Sequence, residues 1–126
     1  MVDGNLPYVV PLNFGYLDNV LYFHSAKVGK KVEILKLNSN VCFEFDVDHE
    51  LRKAGSACDW GMKYRSVIGF GTVSLIECHA EKIEALAIIM KQYSDSQHFE
   101  FAEAAVNKTS VFRIVIEKMT GKQAGY

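Results

Sequence analysis

Residues 21–35, with the sequence LYFHSAKVGKKVEIL, join an apolar strand to a short helix through a single glycine. Three lysines, Lys27, Lys30 and Lys31, crowd the predicted start of this helix. Aligned peptide dipoles already place positive charge at a helix N-terminus, so each exposed cation there costs about 0.3–1 kcal/mol. A phosphate would reverse that cost, because backbone N–H groups and ammonium groups would converge on it. The stretch therefore predicts a strand, a helix and an anion-binding turn, with a solvated basic turn as the alternative.

The composition is that of an ordinary soluble globular protein. The chain has 126 residues, of which 49% are hydrophobic and 23% charged, and its formal net charge is -1. This length suits one domain spanning residues 1–126 and leaves no room for separate cofactor and substrate domains. The few arginines are scattered, so no basic face predicts a nucleic acid partner.

The chain shows no membrane segment, secretory signal or metal motif. No apolar run approaches the roughly 20 residues that cross a bilayer, and no signal core follows the start. We therefore expect a cytoplasmic protein. The cysteines, Cys42, Cys58 and Cys78, are odd in number and form no Cys-x-x-Cys pair, which argues against a disulfide framework. Together with the histidines they give no convincing set of four ligands, so no metal site is predicted.

Apolar alternation over residues 6–14 predicts an opening strand. Pro11 lacks a backbone N–H, so this strand should be an edge or a place approached by something other than a strand. A turn at residues 17–19 then leads into a second strand over residues 20–25. Residues 29–37 form a predicted helix that ends at Asn38, with Val28, Val32 and Leu35 on its buried face.

The rest of the chain predicts further strands and two helical covers. An irregular segment is expected at residues 47–61, after a strand at 40–46. Residues 63–77 predict either a long strand pair or one bent strand, with a bulge at Gly69 and Gly71. A helix is predicted at 80–93, a short helix at 99–106 and a final strand at 109–119. The apolar stripe of the longer helix consists of Ile83, Leu86, Ala87, Met90 and Tyr93. Together the elements predict a mainly β protein, a small antiparallel barrel with helical covers.

Three segments resemble the flavin-nucleotide-binding branch of the pyridoxamine 5'-phosphate oxidase-like split barrels, in the group related to nitroimidazole-resistance (Nim-type) proteins. They are residues 7–16, residues 21–26 with 29–31, and residues 62–71. The resemblance covers nearly the whole chain and implies an antiparallel split β-barrel of the FMN-binding type with two or three short helices. Members of the family usually begin with a helix and a further strand. We therefore expect the barrel to be short at its front, with a partner subunit or an exposed edge in compensation.

The resemblance also implies a cofactor and its binding residues. The cofactor would be FMN, with FAD as a second possibility, held at the interface of a homodimer. Lys30 and Lys31 would bind the phosphate, and His24 and Ser25 would line the phosphate and the edge of the ring. Other implied contacts come from Val9, Pro11 and Asn13 against the isoalloxazine, and from Arg65, Ser66 and Val67 on the long strand.

The implied activity is that of a flavin-dependent oxidoreductase. It would pass hydride or electrons from a reduced nicotinamide or another donor to a small, electron-poor substrate such as a nitroaromatic, with His24 as the catalytic proton donor. A flavin site supplies its own redox chemistry and needs no catalytic triad. Two alternatives remain open: a flavin- or haem-binding protein without turnover, and a ligand-free interaction domain whose lysines are merely solvated.

Overall fold

The computed structural model describes residues 1–126 as a mainly β protein with seven strands and three α-helices. The strands are β1 (Val2–Asp3), β2 (Leu6–Pro7), β3 (Gly15–Leu17), β4 (Val20–Ala26), β5 (Asn40–Arg52), β6 (Gly61–Leu75) and β7 (Thr109–Ala124). The helices are α1 (Lys30–Leu37), α2 (His79–Tyr93) and α3 (Glu103–Lys108). Strands β1 and β2 form a small hairpin, and the other five form one antiparallel sheet in the order β3-β4-β7-β6-β5.

The hairpin of β3 and β4 confirms the predicted turn. Asp18 and Asn19 have φ values of 49° and 65°, the left-handed conformation that two-residue hairpin turns require. Aspartate and asparagine tolerate this conformation better than most residues. Strand β4 then pairs with β7 from Val20 opposite Val115 to Ala26 opposite Thr109.

The long strands extend further than the sequence indicated. The predicted irregular segment at residues 47–61 is wrong in its first part, because β5 continues to Arg52 and pairs with β6. Its polar composition hid the strand, since both of its faces are solvated here. The predicted bulge is confirmed by a shift in the β6–β7 register between Phe70 and Gly71. A Cβ atom on Gly71 would lie 2.4 Å from the carbonyl oxygen of Val115, so the bend requires glycine.

The opening strand predicted for residues 6–14 is wrong beyond Pro7. Residues 8–14 run without a ladder partner, and residues 9–13 make no backbone hydrogen bond. Pro11 cannot donate one, and no strand forms hydrogen bonds with the segment. The backbone N–H of Phe14 instead donates to the hydroxyl of Tyr93, with an N–O distance of 3.0 Å.

The helices are confirmed, with shifted faces. In α1 the buried residues are Val32, Ile34 and Leu35, whereas Val28 is 80% exposed because it precedes the turn at Gly29. In α2 the buried residues are Ala85 and Ile89, so the predicted stripe is wrong for Met90 and Tyr93, which are exposed. The backbone of α2 packs closely on β3 at this face, which selects it over the stripe. The short helix α3 begins at Glu103 rather than residue 99.

The sheet separates two apolar clusters. The larger lies on the α1 side and includes Phe23 and Phe112, whose rings stack with centroids 4.9 Å apart. The smaller contains Ala85 of α2 with Ile76 and Val111. Neighbouring residues of β4 therefore face opposite sides of the sheet. The outer strands β3 and β5 do not pair with each other, so the barrel is split.

Candidate functional site

The turn between β4 and α1 leaves the start of the helix without a side-chain cap. Gly29 has a φ of 136°, a backbone conformation that residues with a side chain rarely adopt. It occupies the N-cap position of α1, and no side chain caps the helix there. The first N–H groups of a helix have no partner within the helix, so here they are left for solvent or a ligand. The helix predicted after Gly29 is present, and binding of an anion at its start stays a prediction.

The two lysines at the start of α1 have different surroundings. The Lys30 ammonium lies 3.3 Å from a carboxylate oxygen of Asp3 and 4.6 Å from the centre of the Tyr8 ring. Both ends of this ion pair are half-exposed, so it contributes at most about 1 kcal/mol. Lys31 is partly buried and forms no ion pair within 4 Å. A phosphate at this turn would therefore find one free cation and one that Asp3 already holds.

His24 and Ser25 lie on opposite faces of β4. Ser25 is buried, and its hydroxyl donates to the carbonyl oxygen of Ala26 over 2.7 Å. His24 is exposed on the other face, where it lines a cavity of about 290 Å³ beneath α3 together with Glu100, Phe101 and Thr109. One chain thus does not bring these two candidate residues to a common face.

The candidates on β6 lie far from the turn along the sheet. Arg65 pairs with Gln123 of β7, whereas Ala26, beside the turn, pairs with Thr109 of the same strand. At about 3.3 Å a residue, the length of β7 between Thr109 and Gln123 is roughly 45 Å. Within one chain, Arg65, Ser66 and Val67 therefore lie at the opposite end of β7 from Lys30.

Arg65 is held by two residues that the sequence reasoning missed. Its guanidinium nitrogen lies 2.8 Å from a carboxylate oxygen of Asp48, and its carbon Cζ lies 4.3 Å from the centre of the Tyr126 ring. The Tyr126 hydroxyl donates to the backbone carbonyl of Asp48. Only the pairing of β5, β6 and β7 brings these distant positions together, so no local signal could have revealed them.

The three candidates in the opening segment lie beside a large apolar cavity. Val9 and Pro11 line this cavity of about 530 Å³, together with residues 41–45 of β5, while Asn13 is exposed outside its lining. Val9 is 89% exposed. The segment is thus accessible to a ligand or a second chain, as the position of Pro11 led us to expect.

A further cation, Lys82 of α2, lies near the same turn. Its ammonium donates to the carbonyl oxygen of Val106 over 2.8 Å. Partial burial, and then the charge of Lys27, lower the pKa of Lys82 below its ordinary 10.5. The sequence placed Lys27 among the lysines of the turn, but Lys82 carried no signal, because only the packing of α2 beside α3 brings it there.

No helix of the structure has the length and apolar character needed to cross a bilayer. No group of three or more histidine, cysteine, aspartate or glutamate side chains converges as a metal site would require.

Comparison with known proteins identifies the relatives of this fold. The family described as pyridoxamine 5'-phosphate oxidase matches residues 1–123. A solved structure of a candidate 5-nitroimidazole antibiotic resistance protein from Bacteroides thetaiotaomicron is 40% identical and superimposes with a TM-score of 0.81, covering 92% of this chain and 68% of that chain. An FAD-binding protein from Mesorhizobium loti is 26% identical with a TM-score of 0.68, covering 98% and 82% of the respective chains.

A flavocytochrome from Azotobacter vinelandii shares the fold with a TM-score of 0.83 at 21% identity, and the match covers 99% of this chain and 59% of that one. No curated protein matches the chain. Because the family match spans nearly the full sequence and the Bacteroides structure is 40% identical over 92% of this chain, the chain belongs to the pyridoxamine 5'-phosphate oxidase family and has its split-barrel fold.

Proposed function

We propose that this protein binds a flavin nucleotide at the β4–α1 turn and acts as a flavin-dependent oxidoreductase. The observation that carries the proposal is the turn itself, where an uncapped helix start meets Lys30 and Lys31. A dianionic phosphate ester fits this combination of free N–H groups and ammonium groups. FAD-binding relatives of the same fold support a flavin as the bearer of that phosphate.

Each candidate residue has a role in holding the cofactor, FMN in the simplest case. Lys31 would contact the phosphate directly, and Lys30 would do so after releasing Asp3. Ser25 would stay buried behind the turn and hold its backbone through the bond to Ala26. Val9, Pro11 and Asn13 would offer backbone groups and one amide to the edge of the ring system, since residues 9–13 have unpaired backbone.

A second copy of the chain would complete the site. Arg65, Ser66 and Val67 lie on an arm formed by the far ends of β5, β6 and β7, residues 44–52, 61–70 and 118–124, which extend past the last residue paired with β4. In a two-fold dimer the arm of one copy would contact the turn of the other, and symmetry would form this contact twice. Exposed apolar side chains on one face of the arm support such an interface; they are Leu51, Met62, Ile68 and Phe70.

The bound flavin would supply hydride and electron transfer, and the protein would supply position and protons. His24 lies on the other face of the sheet from residues 9–13, beside a cavity of about 290 Å³ walled by Phe101 and Leu86. It would therefore serve an acceptor at the flavin held by the other copy of the dimer. From there an imidazole N–H can donate a hydrogen bond or a proton to the acceptor. A nitroaromatic acceptor agrees with the nitroimidazole-resistance relative.

Flavin retention tests the proposal. The purified protein is incubated with FMN, desalted and examined for flavin absorption, alongside the double variant Lys30→Glu/Lys31→Glu. The control Lys36→Glu/Lys91→Glu makes the same change of charge at exposed positions away from the turn. We expect the wild type and the control to retain flavin and the double variant to lose it. Equal retention in all three would remove the turn from the site.

Anaerobic reduction then separates an enzyme from a carrier. NADH is added to the flavin-loaded protein with and without a nitroimidazole, and bleaching and recovery of the flavin spectrum are followed. His24→Gln should retain flavin but reoxidise with the nitroimidazole at least about tenfold more slowly, since general acid catalysis contributes about 10²–10⁴-fold. A flavin that never bleaches would contradict catalysis with this donor.

A further inference from the structure

Two lysines from different elements lie at one junction near the proposed phosphate site. Lys27 directly follows Ala26, which pairs with Thr109 at the start of β7. The Lys82 ammonium donates to the carbonyl oxygen of Val106, three residues before Thr109. Both side chains therefore belong to the same junction, where β4 ends, α3 ends and β7 begins.

This junction carries uncompensated positive charge. Neither Lys27 nor Lys82 forms an ion pair within 4 Å. The carboxylate of Glu81, the neighbour of Lys82 in the chain, is instead paired with Arg113. Partial burial and the charge of Lys27 lower the pKa of Lys82, so its surroundings disfavour the ammonium form. An anion bound between the two lysines would instead favour the ammonium form of Lys82.

Capping of α3 explains only part of this arrangement. The Val106 carbonyl oxygen accepts hydrogen bonds from the backbone N–H of Thr109 and from the ammonium group of Lys82. Such bonds satisfy the carbonyl groups that the last turn of a helix leaves unpaired. That contact uses one of the three ammonium hydrogens of Lys82. It gives no reason for a second unpaired cation, Lys27, to lie close by.

We infer that Lys27 and Lys82 form a second phosphate position beside that of Lys30 and Lys31, and that the preferred flavin is therefore the dinucleotide FAD. This inference rests on the proposed flavin function. The two phosphates of FAD share a bridging oxygen and need adjacent cationic positions, and Lys27 and Lys30 flank the same turn. The single phosphate of FMN would leave one position empty.

Dissociation constants for FAD and FMN test the inference, measured by flavin fluorescence with the wild type, Lys27→Gln and Lys82→Met. The control is Lys91→Met, an exposed lysine near the other end of α2. We expect the wild type to prefer FAD by about tenfold or more. Each of the two variants should raise the dissociation constant of FAD about tenfold and that of FMN less than twofold, as the loss of one charge-assisted contact predicts. The control should change neither constant.

The possible results are distinguishable. If Lys82→Met disturbs α3, Lys27→Gln still tests the site, because the Lys27 side chain makes no hydrogen bond in the fold. Equal loss of FAD and FMN, or no loss of either, would overturn the second phosphate position while leaving flavin binding intact. A wild type that binds neither flavin would overturn the proposed function together with this inference.

Discussion

The ammonium nitrogen of Lys30 lies 3.3 Å from a carboxylate oxygen of Asp3, so a candidate phosphate ligand of this protein already holds an anion. Arg65, at the other end of the sheet, is held in the same way by Asp48 over 2.8 Å. A tyrosine ring lies beside each cation, Tyr8 in one case and Tyr126 in the other. These contacts fix the direction of both cations, and a phosphate bound at the turn would have to displace the Asp3 carboxylate from Lys30.

Asp3→Asn tests this competition. The variant removes the carboxylate that holds Lys30, so we expect FMN to bind about 1.5- to 5-fold more tightly, the equivalent of the 0.2–1 kcal/mol that an exposed ion pair contributes. Titration of flavin fluorescence measures the change. Asp18→Asn serves as the control, because it removes one exposed charge at the other end of β4, where asparagine tolerates the turn. Weaker binding by Asp3→Asn would show that Asp3 supports the site.

A charge on the exposed face of the arm tests the proposed dimer. Phe70 and Ile68 are 49% and 45% exposed on the same face of β6. Phe70→Glu and Ile68→Lys should each convert a dimer to a monomer, as light scattering during gel filtration would show, and should reduce flavin retention. Leu37 lies at the end of α1 and is 90% exposed, so Leu37→Lys should change neither property. Flavin bound by a monomeric variant at full affinity would contradict a site shared between copies.

The close approach of β3 to α2 sets a stability prediction. A Cβ atom on Gly15 would lie 2.6 Å from the backbone nitrogen of Ile89, and backbone atoms of a helix cannot move aside as a flexible side chain can. Gly15→Ala should therefore lower the free energy of unfolding by about 1–3 kcal/mol in urea denaturation. Gly55→Ala, where no atom lies within 4 Å of the new Cβ, should leave stability unchanged or slightly raised. Equal stability of both variants would exclude this contact in solution.

Much of the fold could be predicted from short-range signals. The Asp18–Asn19 turn, the helix after Gly29 and the bulge at Gly71 are each encoded by a few adjacent residues with distinct backbone preferences. The opening segment was misassigned because alternation at residues 6–14 indicates only an extended chain. Whether such a chain pairs depends on a strand with a free edge in the right position, and no strand pairs with residues 8–14.

The candidate site was harder to predict because its parts come from distant positions. The lysines of the turn follow from one local stretch, but Asp3, Asp48 and Lys82 come from other elements. Each lies near its partner only after the sheet has formed, and each carries a side chain that is common on solvated surfaces. The opposite directions of His24 and Ser25 do follow from the twofold period of a strand, once β4 is assigned.

The lowered pKa of Lys82 predicts how stability depends on pH. Its surroundings disfavour the ammonium, so between the lowered pKa of the folded state and the ordinary 10.5 of the unfolded chain, the unfolded state binds more protons. Stability from this group therefore rises with pH through that window and is least at neutral pH, where both states are charged. Urea denaturation of the wild type and of Lys82→Met at several values between pH 7.5 and 10.5 would separate Lys82 from other groups that titrate there. We expect the wild type to gain stability relative to the variant as the pH rises; a relative loss would mean that the contact with Val106 favours the charged form.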